Sequence, residues 1–174
     1  QGYVEKTTGR KLSCGPLQFR LEVVILCYSL THPFMSAEPF LFPYTVSLHD
    51  SDAAGIIFSA NLFRICHEAY EAMMAELGFS IGYLLKHRPF GVPLVHLDGD
   101  FMQPSRVGDH ITIEVRVVEM NRSSYRVEYT LRTPDGTACA RAATVHVVVE
   151  TKTYKSIPIP DGFRAALSKH YLPE

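Results

Sequence analysis

An α+β fold, one long helix packed on a mainly antiparallel sheet, is what this sequence predicts, and three observations predict it. An apolar stripe at helical spacing runs through residues 59–77, four strand-like runs follow between residues 92 and 150, and another such run, residues 40–48, precedes the helix. A helix with one apolar face must bury it, and a sheet of hairpin-linked strands offers the matching face.

The elements follow in chain order. Residues 40–48, FLFPYTVSL, are aromatic and β-branched as strands are, with Pro43 near the start. In the next segment Leu62, Ile65, Cys66, Ala69, Met73 and Leu77 recur every three or four residues. A helix over residues 59–77 would be about 27 Å long at roughly 1.5 Å per residue, enough to cross a sheet. Ser59 or Asn61 is the expected cap at its start, and Gly78 the expected terminator. A shorter helical piece, residues 80–87, ends before Pro89.

Residues 92–103 alternate around Pro93 and Gly99. Residues 110–120 place Ile111, Ile113, Val115 and Val117 on one face, residues 124–133 alternate again, and residues 137–150 form a last long strand after the turn Pro134-Asp135-Gly136. These four are expected in hairpin succession. A short helical segment, residues 161–170, closes the chain. With the long helix in the concave face of a curled sheet, this is the hot-dog arrangement.

With 174 residues, 47% of them hydrophobic and 20% charged, the sequence suits one domain with a single core. A formal net charge of −1 excludes a bulk nucleic-acid or anionic-membrane binder, which would carry a basic excess. Cys14, Cys27, Cys66 and Cys139 form no C-x-x-C pair, so a reduced, cytoplasmic setting fits. Residues 1–34 read as an appended N-terminal extension and residues 35–174 as the domain. The chain begins Gln1-Gly2, a sign of processing or a cleavage scar, and Met35 is a candidate natural start. The apolar run at residues 21–30 contains Glu22 and falls far short of the roughly 20 residues a bilayer span needs. It is expected to pack as an extra strand or helix.

The chemistry concentrates in residues 48–61, LHDSDAAGIIFSAN. Acidic residues, two small residues and a glycine lead straight into the long helix. That order sets a carboxylate beside the free N–H groups of a helix N-terminus, which can hold a carbonyl oxygen and stabilise the charge developing on it. Other readings are plainer. Asp50 suits a turn-capping role, Glu68 and Glu71 a solvated helix face, and His67 packing or hydrogen bonding. No histidine pair has metal-ligand spacing and no G-x-S-x-G elbow occurs, so neither a metal site nor a serine hydrolase is expected. Phe58, Phe63, Phe90, Val92 and Leu94 are candidate walls of an aryl pocket.

The motif at residues 50–61 resembles that of the 4-hydroxybenzoyl-CoA thioesterase family, and residues 65–71, ICHEAYE, are similar to the 1,4-dihydroxy-2-naphthoyl-CoA hydrolases of phylloquinone biosynthesis. The resemblance covers roughly residues 39–164. It implies that Asp52 acts as nucleophile or general base and that Gly55 permits the loop's turn. It also implies that the Ser59 N–H polarises the thioester carbonyl; Phe58, already a candidate pocket wall, is then a substrate-binding candidate. A thioester is already a reactive acyl group, so the family's chemistry needs no metal or cofactor. The family's basic loop for CoA phosphates corresponds to residues 121–124, where only Arg122 keeps a charge; Arg106 is a candidate to share that task. The implied assembly is a homo-oligomer, a dimer or a tetramer of paired dimers, with active sites at the dimer interface. The expected activity is hydrolysis of an aromatic acyl-CoA, 1,4-dihydroxy-2-naphthoyl-CoA first, in phylloquinone or menaquinone biosynthesis. A 4-hydroxybenzoyl-CoA thioesterase, a general acyl-CoA or acyl-carrier-protein thioesterase and a non-catalytic acyl-thioester binding module are the alternatives.

Overall fold

Three hairpin-linked strands form the centre of the sheet, each alternating between core and exterior. They are β3 (His110–Met120), β4 (Ser124–Arg132) and β5 (Ala138–Val147). The computed structural model describes residues 37–87 and 89–173; the expected extension, its apolar run and Met35 lie outside them. β1 (Phe40–Thr45) and β2 (Leu94–Phe101) complete a five-stranded antiparallel sheet of order β1-β3-β4-β5-β2. α1 (Ser59–Glu76) lays Leu62, Ile65, Cys66, Ala69, Tyr70, Met73 and Met74 on one face of that sheet. α2 (Ile81–His87) and α3 (Asp161–Leu167) add Leu84 and Phe163 to the same core. The predicted α+β class, a long helix on an antiparallel sheet, is what forms.

The α1 C-terminus ends as its glycine requires. Gly78 takes φ +81°, the Phe79 N–H reaches the Met74 carbonyl at 2.8 Å and the Gly78 N–H reaches Ala75 at 3.1 Å. This is the Schellman pattern, in which a left-handed residue satisfies the last carbonyls. The N-terminus departs from expectation. The capping position is Phe58, in extended backbone with no side-chain cap. Asn61, placed inside the first turn, instead donates its side-chain amide backwards to the His49 and Asp50 carbonyls, each at 3.1 Å.

The sheet corrects three further expectations. β1 stops at Thr45, not residue 48, and residues Leu48–Asp50 make a single 3-10 turn. β5 stops at Val147, where the Val148 N–H turns to the Ser123 carbonyl at 2.8 Å. Most consequentially, β2 does not continue into β3 as a hairpin; it pairs with β5 at the far edge. Every residue of β2 is exposed, so its alternation records no buried face. Gly99 marks where α1 crosses it: an added Cβ would lie 3.2 Å from both a Leu62 methyl and the Arg141 carbonyl oxygen. Residues 102–109 then carry the chain from this edge across the sheet end to β3. That crossing segment supports the loop before α1, through Ile57 N–H to the Ser105 carbonyl (3.0 Å) and Val107 N–H to the Gly55 carbonyl (3.2 Å).

Candidate active site

The loop between β1 and α1 holds two aspartates, two residues apart, in opposite surroundings. Asp50 is fully buried. Its carboxylate is ion-paired with the Arg64 guanidinium and accepts hydrogen bonds from the Tyr44 hydroxyl (2.8 Å) and the Ser47 N–H (2.7 Å). Arg64, one turn into α1, also pairs with Glu68 and donates to the Tyr44 hydroxyl at 3.1 Å. Burial raises the Tyr44 phenol pKa above its ordinary value. A cation in the first turns of a helix opposes the helix dipole, and Arg64 is tolerated there because Asp50 and Glu68 flank it. A basic residue in the first turns of a helix that follows an acidic loop is the sequence signal for the Asp50–Arg64 pair.

Asp52 is exposed on the tight turn that follows. Its Oδ1 accepts the Ala54 N–H at 2.8 Å, its carbonyl accepts the Gly55 N–H at 3.0 Å, and its own N–H donates to the Ile56 carbonyl at 3.0 Å. Gly55 sits at φ +74° with nothing within 4 Å of an added Cβ, so glycine is needed there for backbone conformation and not for space. The second carboxylate oxygen of Asp52 has no partner among the described residues. Asp52, Phe58 and Ser59 line a cleft of about 500 Å³ together with residues 101–105. Ser59 opens α1, and the first N–H groups of a helix have no acceptor within it. Asp52, the first residue of α1 and a half-exposed Phe58 therefore line one cleft.

The other candidate residues lie elsewhere. Arg106 belongs to this end of the sheet: it bridges to Ile56, and its N–H donates to an Asp109 carboxylate oxygen at 2.7 Å. Arg122 sits on the β3–β4 turn, whose flanking strands align with the Leu94 end of β2, not the Phe101 end at the cleft. The two ends of β2 are about 23 Å apart at roughly 3.3 Å per residue. Within one chain Arg122 is therefore distant from Asp52. The aryl-pocket candidates divide in the same way. Phe58 lines the Asp52 cleft, Phe63 packs against the core, and Phe90, Val92 and Leu94 line a separate apolar slot. Glu68 is engaged by Arg64, and His67 lies 3.2 Å from a Glu71 carboxylate oxygen on the next turn of α1.

The slot, of about 360 Å³, lies between α2, residues 90–94 and the turn after residue 149, with His67, Tyr70 and His146 in its wall. Tyr70 and His146 stack with centroids 4.5 Å apart, and Tyr125 lies nearly parallel to His146 with centroids 5.2 Å apart. Each polar atom in this stack has a partner. The Tyr70 and Tyr125 hydroxyls are 2.6 Å apart, and His146 reaches Val92 O at 3.3 Å and Thr144 Oγ1 at 3.1 Å. Burial lowers the His146 pKa to about 4, so the ring is neutral near pH 7.

Comparison with known proteins agrees with the fold. A 1,4-dihydroxy-2-naphthoyl-CoA hydrolase from Synechococcus elongatus is 35% identical over 121 residues, 69% of this chain and 88% of that protein. The enzyme of the same name from Thermosynechococcus vestitus is 33% identical over 123 residues, 71% of this chain and 84% of its own. Among solved structures, a 1,4-dihydroxy-2-naphthoyl-CoA thioesterase from Synechocystis superposes with a TM-score of 0.70 at 27% identity, over 75% of this chain and 96% of that one. A gentisyl-coenzyme A thioesterase gives 0.65 at 27% identity, over 74% and 98%. The family model described as the thioesterase-like superfamily matches residues 46–167, from the end of β1 to the last residue of α3, and the chain belongs to that superfamily.

Proposed function

We propose that this protein hydrolyses an aromatic acyl-CoA, 1,4-dihydroxy-2-naphthoyl-CoA, to the free acid and CoA in phylloquinone or menaquinone biosynthesis. The observation that carries the reading is the shared cleft of Asp52 and the α1 N-terminus. The thioester carbonyl oxygen docks on the Ser59 N–H, where helix-dipole and hydrogen-bond donation supply roughly 3 kcal/mol of transition-state stabilisation. Asp52 then acts through its free oxygen, as general base toward a water or as nucleophile. In the general-base route Asp52 takes a proton from the attacking water, whose oxygen bonds to the acyl carbon. The C–S bond breaks, that proton passes to the departing CoA sulfur, and the second water proton stays on the acid product until lost to solvent. In the nucleophilic route an Asp52 oxygen bonds to the acyl carbon as the C–S bond breaks, and the CoA thiolate takes a proton from solvent. Water then cleaves the mixed anhydride, releasing the acid and restoring the carboxylate. Gly55 fixes the turn that presents the carboxylate, and Phe58 borders the acyl group.

The site is completed by assembly. Among the described residues β2 is an edge strand exposing Leu94, Val95, Leu97 and Phe101, with Met102 just beyond it, and such an edge favours pairing with another strand. Two copies joined along β2 about a two-fold axis run antiparallel, so the Phe101 end of one meets the Leu94 end of the other. That arrangement sets the Asp52 cleft of one protomer beside the slot and Arg122 turn of its partner. Arg106 from one side and Arg122 from the other then hold the CoA phosphates. The dimer is the unit, and a tetramer pairs two of them. Sedimentation at micromolar concentration should give a dimer or tetramer; a monomer would sink this assembly. The buried, unpaired Cys66 and Cys139 support a reducing, cytoplasmic location.

The experiment is thiol release from 1,4-dihydroxy-2-naphthoyl-CoA, benzoyl-CoA and hexanoyl-CoA by the wild type and Asp52→Asn. We expect naphthoyl preference and near-complete loss in the variant with the fold intact. Equal turnover of hexanoyl-CoA would refute the substrate assignment, and an active Asp52→Asn the site.

A further inference from the structure

The apolar slot at the Leu94 end of β2 carries a feature that the chemistry above does not use. Its outer lip is the turn between Glu150 and Lys155, closed by the Glu150 N–H on the Lys155 carbonyl and the Tyr154 N–H on the Glu150 carbonyl, both at 2.9 Å. The Thr153 hydroxyl donates to a Glu150 carboxylate oxygen at 2.5 Å. Val149, at the root of the turn, bridges to Gly91 on one side and to Ser156 on the other, so the lip is pinned to the slot's rim. Within this turn Tyr154 has φ +55°, the only positive value at a non-glycine among the described residues. A left-handed turn position ordinarily takes glycine or asparagine, because a larger side chain crowds its own backbone there.

The tyrosine gains little in return from its own chain. It lines the slot, yet 77% of its surface is exposed. Leu85, facing the same slot from α2, is 68% exposed. Strained backbone clusters at active sites, ligand clamps and switch regions, and here it holds an uncovered aromatic ring at a cavity mouth. The slot suits an aromatic guest: its volume is at the small-ligand end of the usual pocket range. The polar atoms of the Tyr70–His146 stack in its wall already have partners.

We propose that Tyr154 is a specificity-determining residue whose ring covers the aromatic part of an acyl group seated in this slot. The proposal rests on the thioesterase reading above, in which β2 pairing brings the partner's cleft to the slot. It assigns Tyr154 no part in bond making or breaking.

Two substitutions test it in the full chain. Tyr154→Asn removes the ring and keeps a residue tolerant of left-handed backbone; Tyr154→Phe keeps the ring. An aromatic pair contributes about 0.5–1.5 kcal/mol beyond burial, roughly a two- to tenfold change in affinity. We therefore expect Tyr154→Asn to weaken calorimetric binding of 1-hydroxy-2-naphthoate by that factor, with Tyr154→Phe unchanged. The kcat/KM ratio of naphthoyl-CoA to hexanoyl-CoA should fall by a similar factor in Tyr154→Asn alone. Unchanged naphthoate binding and an unchanged ratio in Tyr154→Asn would overturn the proposal. Repeating the binding measurement in an Asp52→Asn background separates the two ideas: that variant removes the carboxylate and leaves the slot intact. If Asp52→Asn still turns over substrate, the site assignment fails while the naphthoate titration still reports on Tyr154.

Discussion

Replacing each of the two loop aspartates by asparagine gives a pair of variants that separate folding from chemistry. Asp50→Asn removes the charge from a fully buried carboxylate held by Arg64, Tyr44 and Ser47. The asparagine oxygen can replace one of these acceptors, but its amide then faces donors on the other side. Hydrogen bonds to charged groups contribute about 1.5–3 kcal/mol each, and an orphaned buried donor costs a similar amount. Arg64 is 36% exposed, so solvent recovers part of its share. The sum is about 3 kcal/mol, which in a chain of this size lowers the thermal midpoint by roughly 6–12 °C. Asp52→Asn keeps the oxygen that accepts the Ala54 N–H and loses only exposed charge, so its midpoint should stay within about 1 °C. Thermal unfolding followed by circular dichroism, beside thiol release measured well below both midpoints, completes the test. Asp50→Asn should unfold early and retain turnover while folded; Asp52→Asn should unfold normally and turn over nothing. An Asp50→Asn variant of unchanged midpoint that has lost activity would show the two roles to be exchanged, and the reasoning would fail.

Other outcomes follow from the same geometry. Gly55→Ala forces an L-side chain to φ +74°, costs about 1–2 kcal/mol, and should lower both the thermal midpoint and kcat; wild-type kcat would mean that the turn does not aim Asp52. Arg106→Ala and Arg122→Ala should raise KM for acyl-CoA with little change in kcat, and should leave the N-acetylcysteamine thioester, which lacks phosphates, unaffected. An equal effect on both thioesters would place these arginines outside phosphate binding. His146 has its folded pKa depressed to about 4 by burial, against 6.5 in an open chain. Below pH 6.5 the unfolded chain takes up a proton that the folded one refuses, so stability present at neutral pH is lost as pH falls toward 4. The loss approaches about 3 kcal/mol, and urea midpoints of wild type and His146→Gln should converge over that window. Parallel curves would show that His146 does not contribute.

Much of this fold could be read from periodicity because most elements have one wet and one dry side. β3, β4 and α1 were placed within a residue or two, since Ile113, Val127 and Ile65 repeat at the spacing their burial demands. β2 failed as a neighbour of β3 for the converse reason: an edge strand exposed on every residue carries no burial signal to fix its position. β1 ends before residue 48 because the Ser47 N–H donates to the Asp50 carboxylate, a local cap that starts a 3-10 turn where composition alone favours a strand. Within the candidate site, Asp52, Gly55 and Ser59 belong to one motif because they are close in sequence. The separation of Phe58 from Phe90 and Leu94 depends on which ends of strands adjoin, and spacing along the chain does not encode that.

The stacked core beneath α1 also furnishes an optical reporter. The chain has nine tyrosines and no tryptophan, and burial raises the phenol pKa of Tyr70, Tyr125 and Tyr129 well above the ordinary value of 10. Above pH 10 the unfolded chain ionises these groups and the folded chain does not, so rising alkalinity pulls the equilibrium toward unfolding. Phenolate absorbs near 295 nm without interference from indole. A spectrophotometric base titration should therefore resolve in two stages, the exposed phenols ionising reversibly and the buried three together as the sheet and helix come apart. The second step is an intrinsic, label-free signal of whether that core is assembled.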